Sequence, residues 1–250
     1  MTMLEIIDHG EIREIRLARP PANAFNLELT SALCEAFDAA GREAAAVVVS
    51  GRAGMFSAGL DVPELIALDR AQMTLFWHRF LHMLHRIASL PVPVAFAMTG
   101  HAPAGGIVMA LFGDYRIMPR GPFKTGFNEV QVGLVVPPQV HQALVRLLGA
   151  HTAERIVVAG EIMDAQRALD IGLVDELADD PEQVLQRAME WCRGLLALPR
   201  AAMSLSRTMA RADLQCVFEG DYDVARFIDV WFAETTQQTL RELIEKLAQK

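Results

Sequence analysis

PVPVAFAMTGHAPAGGIVMALFGDYRI, residues Pro91–Ile117, decides the fold class. It opens as a short apolar run whose prolines sit only at its start, which is the pattern of a strand. His101–Gly106 is rich in small residues and reads as a turn. Ile107–Phe112 continues as an apolar helix, and Asp114–Met118 returns to a strand. Strand, loop, helix, strand within so short a span is the pattern of an α/β protein with parallel strands.

The flanks repeat the pattern. Upstream, EIIDHGEIREIRL predicts a hairpin with His9-Gly10 at the turn. PPANAFN is a breaker-rich loop. Leu29, Leu33, Ala36, Phe37 and Ala40 follow helical spacing, so a helix is expected over Leu27–Ala40. AAVVVSG is a β-branched run and predicts a buried strand. RAGMFSAGLDVPEL reads as a loop of small residues. Met73, Trp77, Phe80, Leu84 and Ile87 then mark one face of a helix over Arg70–Ala88. Downstream, Asp164 is placed to cap a helix ending at Gly172, and LVDEL reads as a short strand. Asp180-Pro181 pairs an N-cap with proline at the first helical position, and that helix runs towards Leu198. From Arg200 onward the pattern is helical throughout. Two regions are expected: a core over 1–198 and a helical C-terminal region over 199–250.

The chain has 250 residues, 52% of them hydrophobic, ample for a core, and a formal net charge of −8. That charge argues against non-specific binding to nucleic acid or anionic membranes. No apolar run reaches the ~18 residues of a spanning helix. Three widely spaced cysteines, Cys34, Cys192 and Cys216, without a CxxC, fit reduced thiols. The first residues alternate acids and apolar side chains, unlike a signal or transit peptide. A cytoplasmic-type protein is expected.

Two junctions carry small-residue loops, FSAGLD (Phe56–Asp61) and GHAPAGG (Gly100–Gly106). Small residues admit a ligand close to the backbone, and the first N–H groups of a helix have no partner inside it. Side by side, two such junctions could aim two N–H groups at one oxygen. The alternative is two tight turns needed only for packing. A third feature is Glu129, a carboxylate in the mostly apolar GFNEVQVGL, Gly126–Leu134. It is either a solvated residue or a base made more basic by Phe127, Val130, Val132 and Leu134 around it.

In order and spacing, FSAGLD, GHAPAGG, DYRI and FNEVQVGL, with NAFN before them and RALDIGLVDEL after, resemble the crotonase (enoyl-CoA hydratase/isomerase) superfamily. Within it they look most like the mitochondrial-type monofunctional Δ3,Δ2-enoyl-CoA isomerases. The resemblance implies a spiral of repeated ββα units and a helical C-terminal part that builds homotrimers or dimers of trimers. It implies an acyl-CoA ligand from fatty-acid β-oxidation, and no cofactor beyond that thioester. By position, Leu60 N–H and Gly105 N–H become the oxyanion donors. Ala58, Gly59, Leu60 and Asp61 lie along CoA, Ala104 and Asn128 line the thioester region, and Glu129 becomes the catalytic base. Hydratases of the superfamily carry a second glutamate three residues past the oxyanion glycine. Here that residue is Val108. The resemblance therefore favours a one-carboxylate double-bond shift over hydration. Other one-glutamate members, or a non-catalytic acyl-CoA-binding scaffold, are the alternatives.

Several residues have plainer readings. Asp61 could only cap a helix, and Asn128 could only be a turn residue. Ser57 lacks the G-x-S-x-G frame of a nucleophile. His78, His82 and His85 share a helical face, but no third ligand is evident and no metal is expected. Phe227, Trp231 and Phe232 read as core or subunit packing, with an acyl tunnel as the alternative.

Overall fold

The computed structural model describes residues 2–219 and 224–248. The chain winds through repeated turns. After an opening hairpin, each turn lays a strand in a first sheet, a short strand in a second, and then a helix. The hairpin of β1 (Leu4–His9) and β2 (Ile12–Leu17) leads to α1 (Leu27–Glu43). Next come β3 (Ala46–Ser50), β4 (Gly54–Met55), α2 (Val62–Leu65) and α3 (Arg70–Ser89). A third turn is β5 (Val94–Ala97), β6 (Gly100–Pro103) and α4 (Gly105–Ala110). A fourth is β7 (Tyr115–Pro119), β8 (Lys124–Gly126), a 3-10 turn (Glu129–Val132), α5 (Pro138–Leu148) and α6 (Ala150–Ala159). β9 (Ile162–Asp164), α7 (Ala165–Asp170), β10 (Glu176–Ala178) and α8 (Pro181–Leu196) complete it. The chain then turns all-helical, with α9 (Arg200–Ala210), α10 (Ala212–Cys216), α11 (Val224–Trp231) and α12 (Glu234–Ala248).

The first sheet has the order β1-β2-β3-β5-β7-β10 and is parallel apart from the β1–β2 hairpin. The second runs β4-β6-β8-β9. All five residues of β3 are buried because both faces of the first sheet are covered. Val47 and Val49 join the core with α1 and α3, and Ala46 and Val48 join a second core under Val184, Ala188 and Cys192 of α8.

The helix starts follow the expected chemistry. Asn26 accepts from Leu29 N, Asp164 from Arg167 N and Asp180 from Gln183 N. α3 opens with a full capping box between Asp69 and Gln72. The difference from the expected pattern lies in the second sheet. Gly100–Pro103, read as the start of a loop, is strand β6, and the stretch before FSAGLD contains the two-residue β4. α9 has no buried residue, whereas Leu214, Phe227, Ile228, Trp231 and Leu240 of the later helices enter the main core. No helix among the described residues is long and apolar enough to cross a membrane.

Candidate active site

The NAFN segment pins the first loop. Phe25 N donates to Gly59 O at 2.7 Å and Asp61 N donates to Phe25 O at 2.9 Å, forming a parallel bridge between Phe25 and Leu60. Alternate amides of an extended segment face opposite sides, so Leu60 N–H turns away from Phe25. No backbone carbonyl among the described residues accepts it. Ser57 is fully buried and occupied. Its Oγ donates to Asn23 O at 2.8 Å and accepts from Gly59 N at 3.2 Å. Asn23, at a φ of 51°, closes the knot by donating its Nδ2 to Phe56 O at 2.9 Å.

The second loop touches the first at its glycines. A Cβ on Gly59, whose φ is 89°, would lie 3.0 Å from Ala104 Cβ and 3.1 Å from Gly105 N. A Cβ on Gly105 would lie 3.1 Å from Gly59 Cα and 3.1 Å from the Phe25 ring. Ala104 caps α4 with φ 47° and ψ −123°, a region that costs an alanine on the order of 1–3 kcal/mol. Its N–H donates to Gly126 O at 2.8 Å, which holds it there. Gly105 then supplies the first N–H of α4, a group with no partner inside the helix.

Gly126 also begins the route to Glu129. β8 pairs in parallel with β6, placing Gly126 opposite Pro103. Its φ of 134° lets it pass Glu161 O, which a Cβ would meet at 2.1 Å. Three residues on, Glu129 opens the 3-10 turn that Gly133 closes at a φ of 77°. Gln131 Nε2 donates to Gly160 O at 2.7 Å, and Thr236 Oγ1 of α12 donates to Gly133 O at 3.1 Å. The residue is half-buried, but Glu129 Oε2 is sealed from solvent and has no hydrogen-bond partner. Burial pushes the carboxyl up to about 7, against the lowering effect of its own backbone N–H. Phe127 and Leu134 are buried as expected. Val130 is 40% exposed and packs near Gly160 instead, so it does not contribute to that burial.

The family model described as Enoyl-CoA hydratase/isomerase matches residues 8–249. The chain belongs to the enoyl-CoA hydratase/isomerase family. It is 28% identical over 242 residues to Enoyl-CoA delta isomerase 1, mitochondrial, of Homo sapiens, covering 94% of this chain and 80% of that protein. It is 35% identical over 205 residues to Probable enoyl-CoA hydratase echA17 of Mycobacterium avium (strain 104), covering 81% and 77%. The crystal structure of human mitochondrial Δ3-Δ2-enoyl-CoA isomerase superposes with a TM-score of 0.92 at 28% identity, covering 99% of each chain. The crotonase-type fold implied by the motifs is therefore the fold of this family member.

The remaining residues of this enoyl-CoA hydratase/isomerase family member sort by what they touch. Asp61 caps α2 through Glu64 N and pairs with Arg19 at 2.6 Å, so its carboxylate has structural partners. Ala58 is exposed, with its N–H held by Ala22 O at 2.9 Å. Asn128 precedes the 3-10 turn without a side-chain capping bond. Val108, 3% exposed, lies on α4 one turn past Gly105. His101 belongs to β6, and its Nδ1 accepts from Lys124 N at 3.0 Å. His85 stacks on Phe218 at 5.0 Å. Among the described residues no three His, Cys, Asp or Glu side chains converge as a metal site. Trp231 is fully buried and Trp77 lies 5.4 Å from Phe227, so this stripe packs into the core. Sequence reasoning missed Asn23, Phe25 and Thr236. NAFN was visible as a motif, but its contact with Gly59 joins residues too distant in sequence for local pattern to show.

Proposed function

We propose that this family member shifts the double bond of 3-enoyl-CoA to the 2-trans position, with Glu129 as its only base. The observation that carries the reading is a half-buried Glu129 whose Oε2 is sealed and unpartnered and whose carboxyl is raised to about 7, with Val108 where hydration would call for a second acid. Glu129 removes a proton from C2. The C2–H electron pair forms a C1–C2 double bond as the carbonyl π pair moves onto the thioester oxygen, giving a dienolate conjugated with the C3–C4 double bond. Leu60 N–H and Gly105 N–H stabilise that oxygen. The protonated Glu129 then returns the proton to C4, and the dienolate collapses to the 2-enoyl thioester. A base with a pKa near the working pH suits both halves of this exchange.

Ala58, Gly59, Leu60 and Asp61 would run along CoA, with Ala104 and Asn128 beside the thioester. No cofactor beyond the CoA thioester is required, and the reaction fits fatty-acid β-oxidation. The exposed Leu198 just before α9 and Leu205 and Met209 along it suit an interface between copies, and a homotrimer or dimer of trimers is the proposed assembly. The division into a 1–198 core and a 199–250 helical region is part of the same proposal.

The relative named as a probable hydratase, at 35% identity, favours a second reading in which water is added. Separate incubations with 3-hexenoyl-CoA and 2-hexenoyl-CoA discriminate. The isomerase reading expects 2-hexenoyl-CoA from the first and no 3-hydroxyacyl-CoA from the second. Rapid hydration of 2-hexenoyl-CoA would replace it with the hydratase reading. Binding without turnover of either would leave a scaffold.

A further inference from the structure

Away from Glu129, four arginines meet at the far end of α4. Arg116 comes from β7, Arg146 from α5, Arg207 from α9, and Arg211 from the α9–α10 junction. With Asp114 and Gly113 they line a cavity of about 240 Å³. Arg116 and Arg211 are only 4% and 5% exposed.

Much of their hydrogen-bonding capacity is used. Arg211 donates to Phe112 O at 2.6 Å, Gly113 O at 3.2 Å and Asp114 Oδ1 at 3.0 Å. Arg116 donates to Ala110 O and Gly113 O, both at 3.3 Å, and pairs with Asp175 at 2.8 Å. Arg207 clamps Asp114 through Nε at 3.0 Å and Nη2 at 2.8 Å. Arg146 pairs with Asp213 at 2.9 Å and donates to Ala210 O at 2.8 Å. These bonds cap the carbonyl end of α4 and tie the C-terminal helices to it.

Capping does not account for two further observations. Nε of Arg116 and Nε of Arg211 are both buried with no acceptor, although a buried unpaired donor is costly. And four guanidinium groups face three carboxylates, Asp114, Asp175 and Asp213. One positive charge is left over in a largely desolvated place, inside a chain whose net charge is −8. The strain is visible in Arg211, whose pKa is pulled down to about 10 by burial, with Arg207, Arg146 and Arg116 adding to it against Asp114.

We propose that this pocket binds a small tetrahedral oxyanion, a phosphate or the phosphoryl group of a larger molecule. Planar guanidinium forks match such oxygens, and one anion would neutralise the excess charge. The cavity holds several times the ~30 Å³ share of one water, enough for an anion. The site is separate from the acyl-CoA reading and does not rest on it. It would lock α9 and α10 to the helix that begins at Gly105.

The test is the melting temperature of the full chain during titration with inorganic phosphate, with ionic strength held constant by chloride. A saturable rise is expected. Arg146→Gln lies at the cavity's open side, so the variant should stay folded and bind phosphate about tenfold more weakly or worse. Arg211→Lys keeps the charge but removes the planar fork, and should also weaken binding. Adenosine 3′,5′-bisphosphate run in parallel separates the sources. A response to phosphate itself assigns a free-ion site, and an Arg146-dependent response only to the bisphosphate assigns a carried phosphoryl group. No saturable rise with either ligand overturns the proposal, and so does an identical midpoint in the parent and Arg146→Gln.

Discussion

The two halves of the candidate site are built on opposite principles. The half formed by Gly59, Leu60 and Gly105 offers only main-chain groups, and its geometry is set by contact. Its glycines approach so closely that an added Cβ would sit 3.0–3.1 Å from the opposite loop. The half formed by Glu129 offers one side chain, and its character is set by the missing partner of Oε2. The first half should therefore be sensitive to size and indifferent to most side-chain identity. The second should tolerate an isostere in shape and fail in chemistry.

The largest effect is expected from Glu129→Gln. The amide keeps the shape and cannot act as a base, so kcat on 3-hexenoyl-CoA should fall by roughly 10³ or more with KM and fold retained. A loss under tenfold would show that another group takes the proton. Next is Gly59→Ala. Its methyl meets Ala104 Cβ and Gly105 N at a φ of 89°, which should separate the two N–H groups. Losing one oxyanion donor costs roughly 10²–10³ in rate, and steady-state kinetics of the folded variant measures it. An unchanged rate would place the hole elsewhere.

Smaller effects follow from the Glu129 pKa of about 7. The base acts when ionised, so kcat/KM should rise with pH to a plateau above 7 and stand at about a tenth of it near pH 6. A flat profile over pH 5–8 would contradict a buried base. Stability should move the other way. The carboxyl ionises near 4.5 when unfolded and near 7 when folded. Its protonated form therefore contributes stability below 4.5 that is lost as pH rises through 7. Glu129→Gln should match the parent at pH 4 and exceed it at pH 8, on the order of 2 kcal/mol, in denaturant melts. Equal stability at both pH values would mean the carboxyl is solvated. Leu60→Ala should be the mildest, under about threefold in kcat, because only its backbone N–H is used. A loss as large as that of Gly59→Ala would give the side chain a role.

The same contrast explains what the sequence could reveal. The side-chain chemistry was legible: Asp164, Asp180-Pro181 and the all-buried β3 announced their elements, and Glu129 stood out as an acid in an apolar stretch. The contact-built half was legible only as small residues in two loops. β4, β6 and β8 span two to four residues and are rich in glycine, so no periodicity can develop; their pairing joins segments some 45 residues apart, Gly54 to Gly100. The left-handed φ of Ala104 is set by its bond to Gly126 and by nothing local. The exposure of Val130 depends on Gly160, and the hold on Gly133 depends on Thr236, a hundred residues away. Gly105→Pro would remove the N–H at a helix position proline accepts, but its ring atoms would press on Gly59 and Phe25, so it is read only beside Gly59→Ala.

The central claim is that one half-buried carboxyl carries the proton from C2 to C4. Deuterium at both C2 positions of 3-hexenoyl-CoA, followed by mass and NMR analysis of the product formed in ordinary water, tests it most directly. Because Glu129 Oε2 is sealed from solvent, part of the deuterium should appear at C4 of the 2-hexenoyl-CoA, and Glu129→Gln should abolish that transfer along with turnover. Product formed at full rate with no deuterium at C4 would mean that the proton returns from solvent or from a second acid, and would contradict a single shuttling carboxyl.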